Sequence, residues 1–271
     1  MKVMEAVPYI KGLDKWLGKE LTEEVRTYLK DFGAATASNG AVGLYHIENL
    51  TPEAKEFGQD LIVEGVNSDK IYTTGIPLSN KFLLEYDKSQ ILENFGLIPG
   101  KKTVLFFGGG ELGLGKTYTF DIFKSFVKND NIQLVAISGK NQKMKEHFET
   151  YVEEMGKENS VKVLEYTDKI PELMSISDLV VTKPGGLTTT ESLASGLPIV
   201  VINPIPGQEE ENAEFLEENK VAIWIKKDDN VEEILNELFS NPDKMQEMKI
   251  RARLIAKKNS TKDICNILLK T

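Results

Sequence analysis

The sequence has few of the residues that carry covalent or redox chemistry, with one cysteine and two histidines among 271 residues. A single cysteine, Cys265, excludes an internal disulfide and is typical of a reducing compartment. Its apolar, helix-like surroundings favour a small buried side chain over a reactive thiol. We therefore expect no disulfide framework.

Long apolar runs are also missing, since no stretch approaches the ~20 residues that a membrane-spanning helix needs. The N-terminus has no basic region followed by an apolar run, so no secretion signal is expected. The net charge of −9 argues against a general nucleic-acid binder. The sequence thus predicts a cytoplasmic protein, either soluble or peripheral to a membrane. For the basic residues between Arg251 and Lys258, a solvated helix face is favoured over membrane-surface contact.

Short apolar segments alternate with amphipathic ones from Lys102 onward. The apolar segments are rich in Val and Ile, which is typical of strands covered on both faces. This alternation predicts an α/β fold with a parallel, doubly wound, Rossmann-like sheet. The predicted strands are Thr103–Phe107, Ile132–Ile137, Val161–Tyr166, Leu179–Thr182, Ile199–Asn203 and Val221–Ile225. The predicted helices between them include Lys140–Met155, Glu210–Asn219 and Val231–Phe239.

The flanking segments complete the predicted organisation. A short helix is predicted over Asp87–Phe95, with Asp87 as its cap and Gly96 in the left-handed position at its end. Tyr72–Pro77 is predicted to be a strand and turn that leads into the sheet domain, and Pro242–Leu269 is predicted to be helical. We therefore predict two regions, a short and atypical α/β segment over 1–71 and a sheet domain over 72–271.

The first of three informative loops follows the strand that ends at Phe107. Residues 108–115 include the adjacent glycines Gly109 and Gly110, and glycine allows the backbone to approach a ligand closely. The loop either lines a phosphate or the domain cleft, or is only a tight strand–helix connection. It is not a P-loop, because the spacing from Gly110 to Lys116 does not match that motif.

The second loop, TKPGGLTTTESLASGLP over 182–198, joins a predicted strand to a helix that starts near Leu187. Gly185 and Gly186 make the turn. The free N–H groups at the helix start, with the Thr188 and Thr189 hydroxyls beside them, form an anion site suited to a diphosphate.

Glu191 lies about one helical turn beyond that start. A carboxylate accepts hydrogen bonds without donating, so it is suited to both hydroxyls of a ribose. The alternative is a first-turn carboxylate that is favoured only by the helix dipole.

The third loop, NPIPGQEEEN over 203–212, again joins a predicted strand to a helix. Two prolines stiffen it and Gly207 bends it, which would hold Gln208 and Glu209 at a helix N-terminus. Amide and carboxylate groups are suited to sugar hydroxyls. The alternative is an ordinary acidic helix start.

Taken together, these segments resemble a known enzyme family. The strings TKPGGLTTTESLASGLP and NPIPGQEEENAEFL are similar to those of processive UDP-sugar:diacylglycerol glycosyltransferases and plant monogalactosyldiacylglycerol synthases, and more distantly to the UDP-N-acetylglucosamine transferase that makes lipid II. The strings DKIYTTGIPLSNKF, FFGGGELGLG and EYTDKIPELMSISDLVVTKPGG extend the resemblance over about residues 66–271. It implies a GT-B fold in which this region binds the donor, UDP-glucose or UDP-galactose, as co-substrate. It also implies a lipid acceptor at a membrane surface, with no metal and no further cofactor.

The resemblance implies a role for each loop. The ribose would be held by Glu191, the diphosphate by the turn that begins the second helix, the hexose by the third loop, and the uracil by the end of the third strand. The implied donor-binding residues are Gly109, Gly110, Tyr166, Thr167, Leu173, Met174, Gly185, Gly186, Leu187, Thr188, Glu191, Gln208, Glu209 and Asn212.

The N-terminal region departs from that family, whose separate N-terminal domain carries a glycine-rich loop with a catalytic histidine. Only about 70 residues precede the donor region here, and none of them form such a loop. His46 is the only candidate base, since His147 is predicted to lie on a helix surface. Residues 4–62 weakly resemble the large subunit of an aconitase-X type dehydratase, which indicates a possible chimera.

Three functions are compatible with these patterns. The first is an inverting transfer of a hexose from a UDP-sugar to a diacylglycerol-type lipid. The alternative is a UDP-sugar-binding module without turnover, because the acceptor domain and its histidine are missing. A dehydratase fragment built around residues 34–58 is disfavoured, since it lacks the cysteine ligands or extended domain that such chemistry requires.

Overall fold

The computed structural model describes residue 72, residues 74–108 and residues 116–269. The chain divides into two compact units. One is Asn80–Ala256, and the other combines Met1–Ser79 with Lys257–Thr271.

Six strands make one parallel sheet in the unit Asn80–Ala256. They are β1 (Lys102–Phe107), β2 (Ile132–Ile137), β3 (Val161–Leu164), β4 (Leu179–Thr182), β5 (Ile199–Ile202) and β6 (Ala222–Ile225). Their order across the sheet is β3-β2-β1-β4-β5-β6. All five neighbouring pairs are parallel, which confirms the predicted doubly wound α/β fold.

Helices connect and follow these strands. They are α1 (Lys88–Asn94), α2 (Lys116–Lys128), α3 (Gln142–Glu154), α4 (Ile170–Ile176), α5 (Gly186–Ala194), α6 (Gln208–Glu218), α7 (Val231–Ser240), α8 (Pro242–Ile255) and α9 (Ser260–Leu269). A 3-10 turn covers Asn80–Leu83. Side-chain caps start several of the helices. Asp87 accepts from the Gln90 N–H before α1, and Asn141 accepts from the Met144 N–H before α3.

The central strands are buried on both faces, as their continuous apolar sequences predict. All six residues of β2 are buried, and so are all four residues of β4 and of β5. The one polar side chain in β2, Gln133, is fully hydrogen-bonded. Its Oε1 accepts from the Ile98 N–H at 2.7 Å and its Nε2 donates to the Thr103 hydroxyl at 2.9 Å.

Two apolar clusters pack on the opposite faces of the sheet, because neighbouring residues of a strand point to opposite sides. Phe106 belongs to the larger cluster, where its ring makes edge-to-face contacts with Phe123, Phe126 and Phe148. Leu105 belongs to the second cluster, together with Leu173 and other residues of α4. Both faces are therefore covered by helices, as a doubly wound sheet requires.

Element boundaries agree with the predictions to within one or two residues, with two exceptions. The predicted strand at Tyr72–Pro77 is wrong for the residues described, since none of them is in a strand. The backbone N–H and C=O of Leu78 instead bond to the Thr261 hydroxyl, both at 2.8 Å. The predicted helix over Pro242–Leu269 is two helices, because residues 256–259 leave the helical conformation.

Candidate donor site at the carboxyl edge of the sheet

The strand order creates a natural crevice beside β1. The chain runs outward from β1 through β2 to β3, and then returns on the other side of β1 as β4. At such a switch point the loops after the two neighbouring strands diverge, and open α/β folds bind ligands in the gap between them. The loops after β1 and β4 are the first and second loops of the sequence analysis. Gly109 and Gly110, in the first, lie outside the described residues.

The second loop presents an uncapped helix start. Gly185 is the N-cap of α5, and no side chain caps the helix. The first N–H groups of an α-helix have no partner within the helix, so those of Gly186, Leu187 and Thr188 are available to a ligand. Nine residues of helix add their dipoles at this end, which favours an anion.

The two threonines beside the helix start differ in placement. Thr188 is partly exposed, and its carbonyl accepts from the Ser192 hydroxyl at 2.7 Å. The Thr189 side chain is completely buried, and its hydroxyl has no hydrogen-bond partner. The expectation that both hydroxyls flank an anion therefore needs correction, because the helical phase turns Thr189 into the protein interior.

Glu191 lies one turn into α5 and is largely withdrawn from water. Burial raises the pKa of its carboxyl from the ordinary 4.5 to about 7. Among the described residues, no side chain or backbone N–H donates to this carboxylate. A partly buried carboxylate without a donor is costly to ionise, and a ligand that supplies hydroxyl donors would relieve that cost.

The third loop has an unusual backbone that fixes its course. Asn203 directly follows β5 with a positive φ of 47°. Gly207, the N-cap of α6, has φ 93° and ψ −127°, a conformation open essentially to glycine alone. Gln208 then starts α6, and the Glu209 carboxylate accepts from the Ile205 N–H at 2.7 Å. The loop is thus folded back onto the first turn of its own helix.

The second and third loops contact one another. The Asn212 side-chain amide donates to the Pro184 carbonyl at 2.9 Å. A Cβ built at Gly185 would lie 3.8 Å from the Glu209 carboxylate. Both contacts come from α6, so this helix joins the turn before α5 to the loop after β5. Asn212 itself is 3% exposed.

The residues expected at the uracil end of the site differ in their exposure. Tyr166 is 72% exposed just beyond β3, and the neighbouring Thr167 hydroxyl accepts from the Lys169 N–H. Leu173 and Met174 on α4 are 0% and 1% exposed and belong to the second core cluster. In this structure they are core residues and offer no surface to a base.

Of the two histidines, only His147 lies in the described part of the chain, and it is not on these loops. His46 lies outside the described part of the chain. His147 is exposed on α3, where its ring lies 5.9 Å from that of Phe120. It lines a groove of about 650 Å³ together with residues of α2 and α3.

Sequence reasoning missed a smaller groove of about 320 Å³ beside the third loop. It is lined by Tyr118, Asn203, Pro204, Glu210, Trp224, Ile225, Lys226 and Lys227. The Lys226 ammonium lies 4.9 Å from the centre of the Trp224 ring. The sequence pattern that could have indicated this groove is the run Trp-Ile-Lys-Lys at the end of the last strand.

Two kinds of feature are absent from the described residues. They contain no group of three or more His, Cys, Asp or Glu side chains placed to hold a metal ion. They also contain no helix that is both long and apolar enough to cross a membrane.

Comparison with known proteins defines the class of protein to which this chain belongs. A family model described as Glycosyl transferases group 1 matches residues 87–255. The chain belongs to this family. The match covers all six strands and the helices from α1 to α8.

Curated relatives include enzymes named processive diacylglycerol beta-glucosyltransferase. That of Bacillus licheniformis is 32% identical over 225 residues, which is 83% of this chain and 58% of the relative. That of Bacillus subtilis is 33% identical over 218 residues, or 80% of this chain and 56% of the relative. The chain thus spans somewhat more than half the length of these relatives.

Solved structures share the fold. The structure of Anabaena Alr3699/HepE in complex with UDP-glucose matches with a TM-score of 0.56 at 16% identity, over 80% of this chain and 62% of that one. The S. aureus MnaA-UDP co-structure matches with a TM-score of 0.58 at 18% identity, over 78% and 56%. Acinetobacter baumannii MurG matches with a TM-score of 0.53 at 19% identity, over 75% and 58%. These likenesses confirm the GT-B type of fold predicted from sequence.

The start of the chain matches a different family. A model described as Aconitase X second domain matches residues 1–74. The predicted resemblance of residues 4–62 to an aconitase-X type protein is therefore confirmed. Nearly all of this match lies outside the described residues.

Proposed function

We propose that this chain binds a UDP-sugar at the carboxyl edge of its sheet and transfers the hexose to a diacylglycerol-type lipid. The observation that carries the donor site is the pairing of an uncapped helix start at Gly186 with the carboxylate of Glu191, which is largely buried and has no donor among the described residues. The names of the curated relatives support the lipid acceptor and glucose as the hexose.

The diphosphate would lie at the N-terminus of α5. Its oxygens would accept from the N–H groups of Gly186, Leu187 and Thr188, in the field of the helix dipole. The ribose hydroxyls would donate to Glu191. Tyr166 and the Thr167 backbone would lie beside the uracil, and Gln208 and Glu209 beside the hexose hydroxyls.

The chemistry that follows is a single displacement with inversion. The acceptor hydroxyl oxygen attacks the anomeric carbon, the bond from that carbon to the β-phosphate oxygen breaks, and UDP leaves with the electron pair. The helix N-terminus is placed to stabilise the charge that develops on the departing diphosphate. The acceptor proton passes to a general base, for which His46 is the candidate.

A transfer assay tests the catalytic part of this proposal. The full chain is incubated with labelled UDP-glucose and diacylglycerol in detergent micelles, with UDP-galactose as a parallel donor. A labelled glycolipid is expected, and its formation is expected to fall strongly in a His46→Ala variant. A folded protein that binds UDP-glucose but yields no glycolipid would contradict transfer by this chain.

That last outcome is what the second candidate predicts, a UDP-sugar-binding module without turnover. One observation favours it, since residues 1–74 match a different family model. Both candidate functions predict that calorimetry detects binding of UDP and UDP-glucose, so an absence of binding would contradict both. The transfer assay then separates them, because only the first predicts a glycolipid product.

A further inference from the structure

Helix α6 contacts the second candidate donor loop through one buried residue. Asn212 lies one turn into the helix and is 3% exposed. Its side-chain Nδ2 donates to the Pro184 carbonyl, 28 residues earlier in the chain, at 2.9 Å. Pro184 immediately precedes Gly185, the N-cap of α5. The hydrogen bond therefore holds the backbone segment that sets the direction of the first N–H groups of α5.

The segment held by this bond has few other constraints of its own. Pro184 has no N–H to donate, and Gly185 donates to the Lys183 carbonyl at 2.8 Å in a tight local turn. Pro184 is buried, so its carbonyl would lack a partner if the Asn212 amide were removed. The direction of this turn thus depends on a group supplied from α6.

A second residue on the same side of α6 strengthens the arrangement. Glu209 precedes Asn212 by three residues, so the two share a helix face. Its carboxylate accepts from the Ile205 N–H and lies next to Gly185, 3.8 Å from the position of a Cβ there. The third loop is thereby held to the same helix turn that holds the second loop.

We propose that Asn212 is a positioning residue, which couples the diphosphate-binding turn to the hexose-binding loop without touching the donor. This rests on the proposed function. Its burial and its bond to Pro184 distinguish this role from direct contact with the hexose. An Asn212→Asp variant keeps the shape of the side chain but replaces the donating amide by an acceptor, which would repel the Pro184 carbonyl.

The two roles predict different binding patterns. UDP lacks the hexose, so a residue that only contacts the hexose has no effect on UDP affinity. Because Asn212 instead orients the α5 amides, Asn212→Asp is expected to weaken UDP and UDP-glucose alike, each by about tenfold. Calorimetric titration of each ligand measures the two ratios. Asn212→Ala, which removes the amide without adding charge, is expected to give the same pattern.

The same helix offers a matched control. Asn219 also donates from Nδ2 to a backbone carbonyl at 2.9 Å, that of Phe215, but at the far end of α6. Asn219→Asp makes the same chemical change away from the loops and is expected to leave both affinities within about twofold of the parent.

Two results would overturn the proposal. One is a loss of UDP-glucose affinity with UDP affinity unchanged, which would make Asn212 a hexose ligand. The other comes from amide hydrogen exchange in the ligand-free protein. Exchange at residues 185–188 is expected to quicken in Asn212→Asp but not in Asn219→Asp, and unchanged exchange there would contradict the role. This second readout decides the matter even if the parent binds no UDP, an outcome that would refute only the proposed function.

Discussion

Glu191 combines burial with the lack of a donor among the described residues, and this makes its protonation state sensitive to ligands. Its carboxyl has a pKa of about 7, so near neutral pH about half of the ligand-free molecules carry the charge. Ribose hydroxyls donate hydrogen bonds and therefore favour the charged form. If the ribose binds at Glu191 as proposed, donor binding and proton release are coupled at this side chain.

The first prediction concerns pH and UDP affinity. Because the bound state favours the ionised carboxylate, UDP affinity of the parent is expected to rise about tenfold between pH 5.5 and 7.5 and then level off. A Glu191→Gln variant is expected to bind UDP about tenfold more weakly at pH 7.5 and to lose this contribution to the pH profile. Calorimetric titration across the pH range measures both.

The control for this experiment is Glu214→Gln, which changes an exposed carboxylate on α6. If the pH dependence of UDP affinity comes from Glu191, the Glu214→Gln variant is expected to show the same pH profile as the parent. That profile includes any contribution from the ionisation of UDP itself. Identical profiles for the parent and Glu191→Gln would show that the carboxylate does not meet the ribose.

The second prediction concerns the stability of the ligand-free protein. The folded pKa of Glu191 lies above its unfolded value, so the folded state holds a proton that the unfolded state releases between pH 4.5 and about 7. The parent therefore loses unfolding free energy as pH rises through this window. Relative to the parent, Glu191→Gln is expected to gain stability over the same window, by about 3 kcal/mol at most. Urea unfolding at pH 4.5, 6 and 8 measures the difference, and a constant difference would argue against a raised pKa.

At the scale of elements, the strands were the most predictable part of the molecule. Uninterrupted Val- and Ile-rich runs end at turn residues, so β2 and β4 were predicted without error. The predicted third strand extended too far, to Tyr166, since pairing with β2 ends at Leu164 and the following side chains face water. Asn203 was included in the fifth strand, but its positive φ takes it out of the ladder.

The candidate loops were also located from sequence, but their mutual contacts were not. The Asn212–Pro184 bond joins residues 28 positions apart, and local patterns carry no information on such a pairing. Burial of Thr189 depends on the rotational phase of α5, which follows from where the helix begins. The helix starts at Gly186, one residue before the predicted position.

The third prediction tests the bend at the start of α6. Gly207→Ala is expected to cost about 2 kcal/mol of unfolding free energy, because an L side chain is strained at φ 93° and ψ −127°. It is also expected to weaken UDP-glucose binding more than UDP binding, since the bend places the proposed hexose loop. Urea unfolding and calorimetry measure the two effects.

Gly139 gives a matched comparison. It also has a positive φ, 61°, and an added Cβ there would meet no atom within 4 Å, as at Gly207. Gly139→Ala should cost about 1 kcal/mol, the ordinary penalty of the left-handed region, and leave both affinities unchanged. If both variants behaved alike in stability and binding, Gly207 would have no special role.

At the scale of the whole sheet unit, one carboxylate ties distant segments together. The Asp178 side chain accepts from the Thr103 N–H of β1 at 3.1 Å, from Lys102 at 3.2 Å and from Lys249 of α8 at 3.0 Å. Burial works to raise the pKa of Asp178, but the hydrogen bond and charge of Lys249, with help from the other two groups, hold the pKa below its ordinary 3.8.

The fourth prediction follows from this network. Asp178→Asn is expected to lower the unfolding free energy by about 2 kcal/mol at pH 7. A carboxyl whose pKa is lower in the folded state stabilises the protein at pH values above its unfolded pKa. The loss of unfolding free energy in Asp178→Asn should therefore shrink as pH falls below about 4, toward the folded pKa. Asp121→Asn, which breaks an exposed ion pair with Lys124, should cost under about 1 kcal/mol at any pH. Thermal unfolding across pH compares them, and equal costs for the two variants would contradict the network.

The proposed function depends most on where the diphosphate binds. Amide NMR of the labelled full chain during titration with UDP locates it directly. We expect the largest saturable shifts at Gly186, Leu187 and Thr188, and expect those shifts to weaken in Glu191→Gln. If the shifts were instead centred on the groove beside His147 while those three amides stayed unchanged, the α5 N-terminus would not be the donor site.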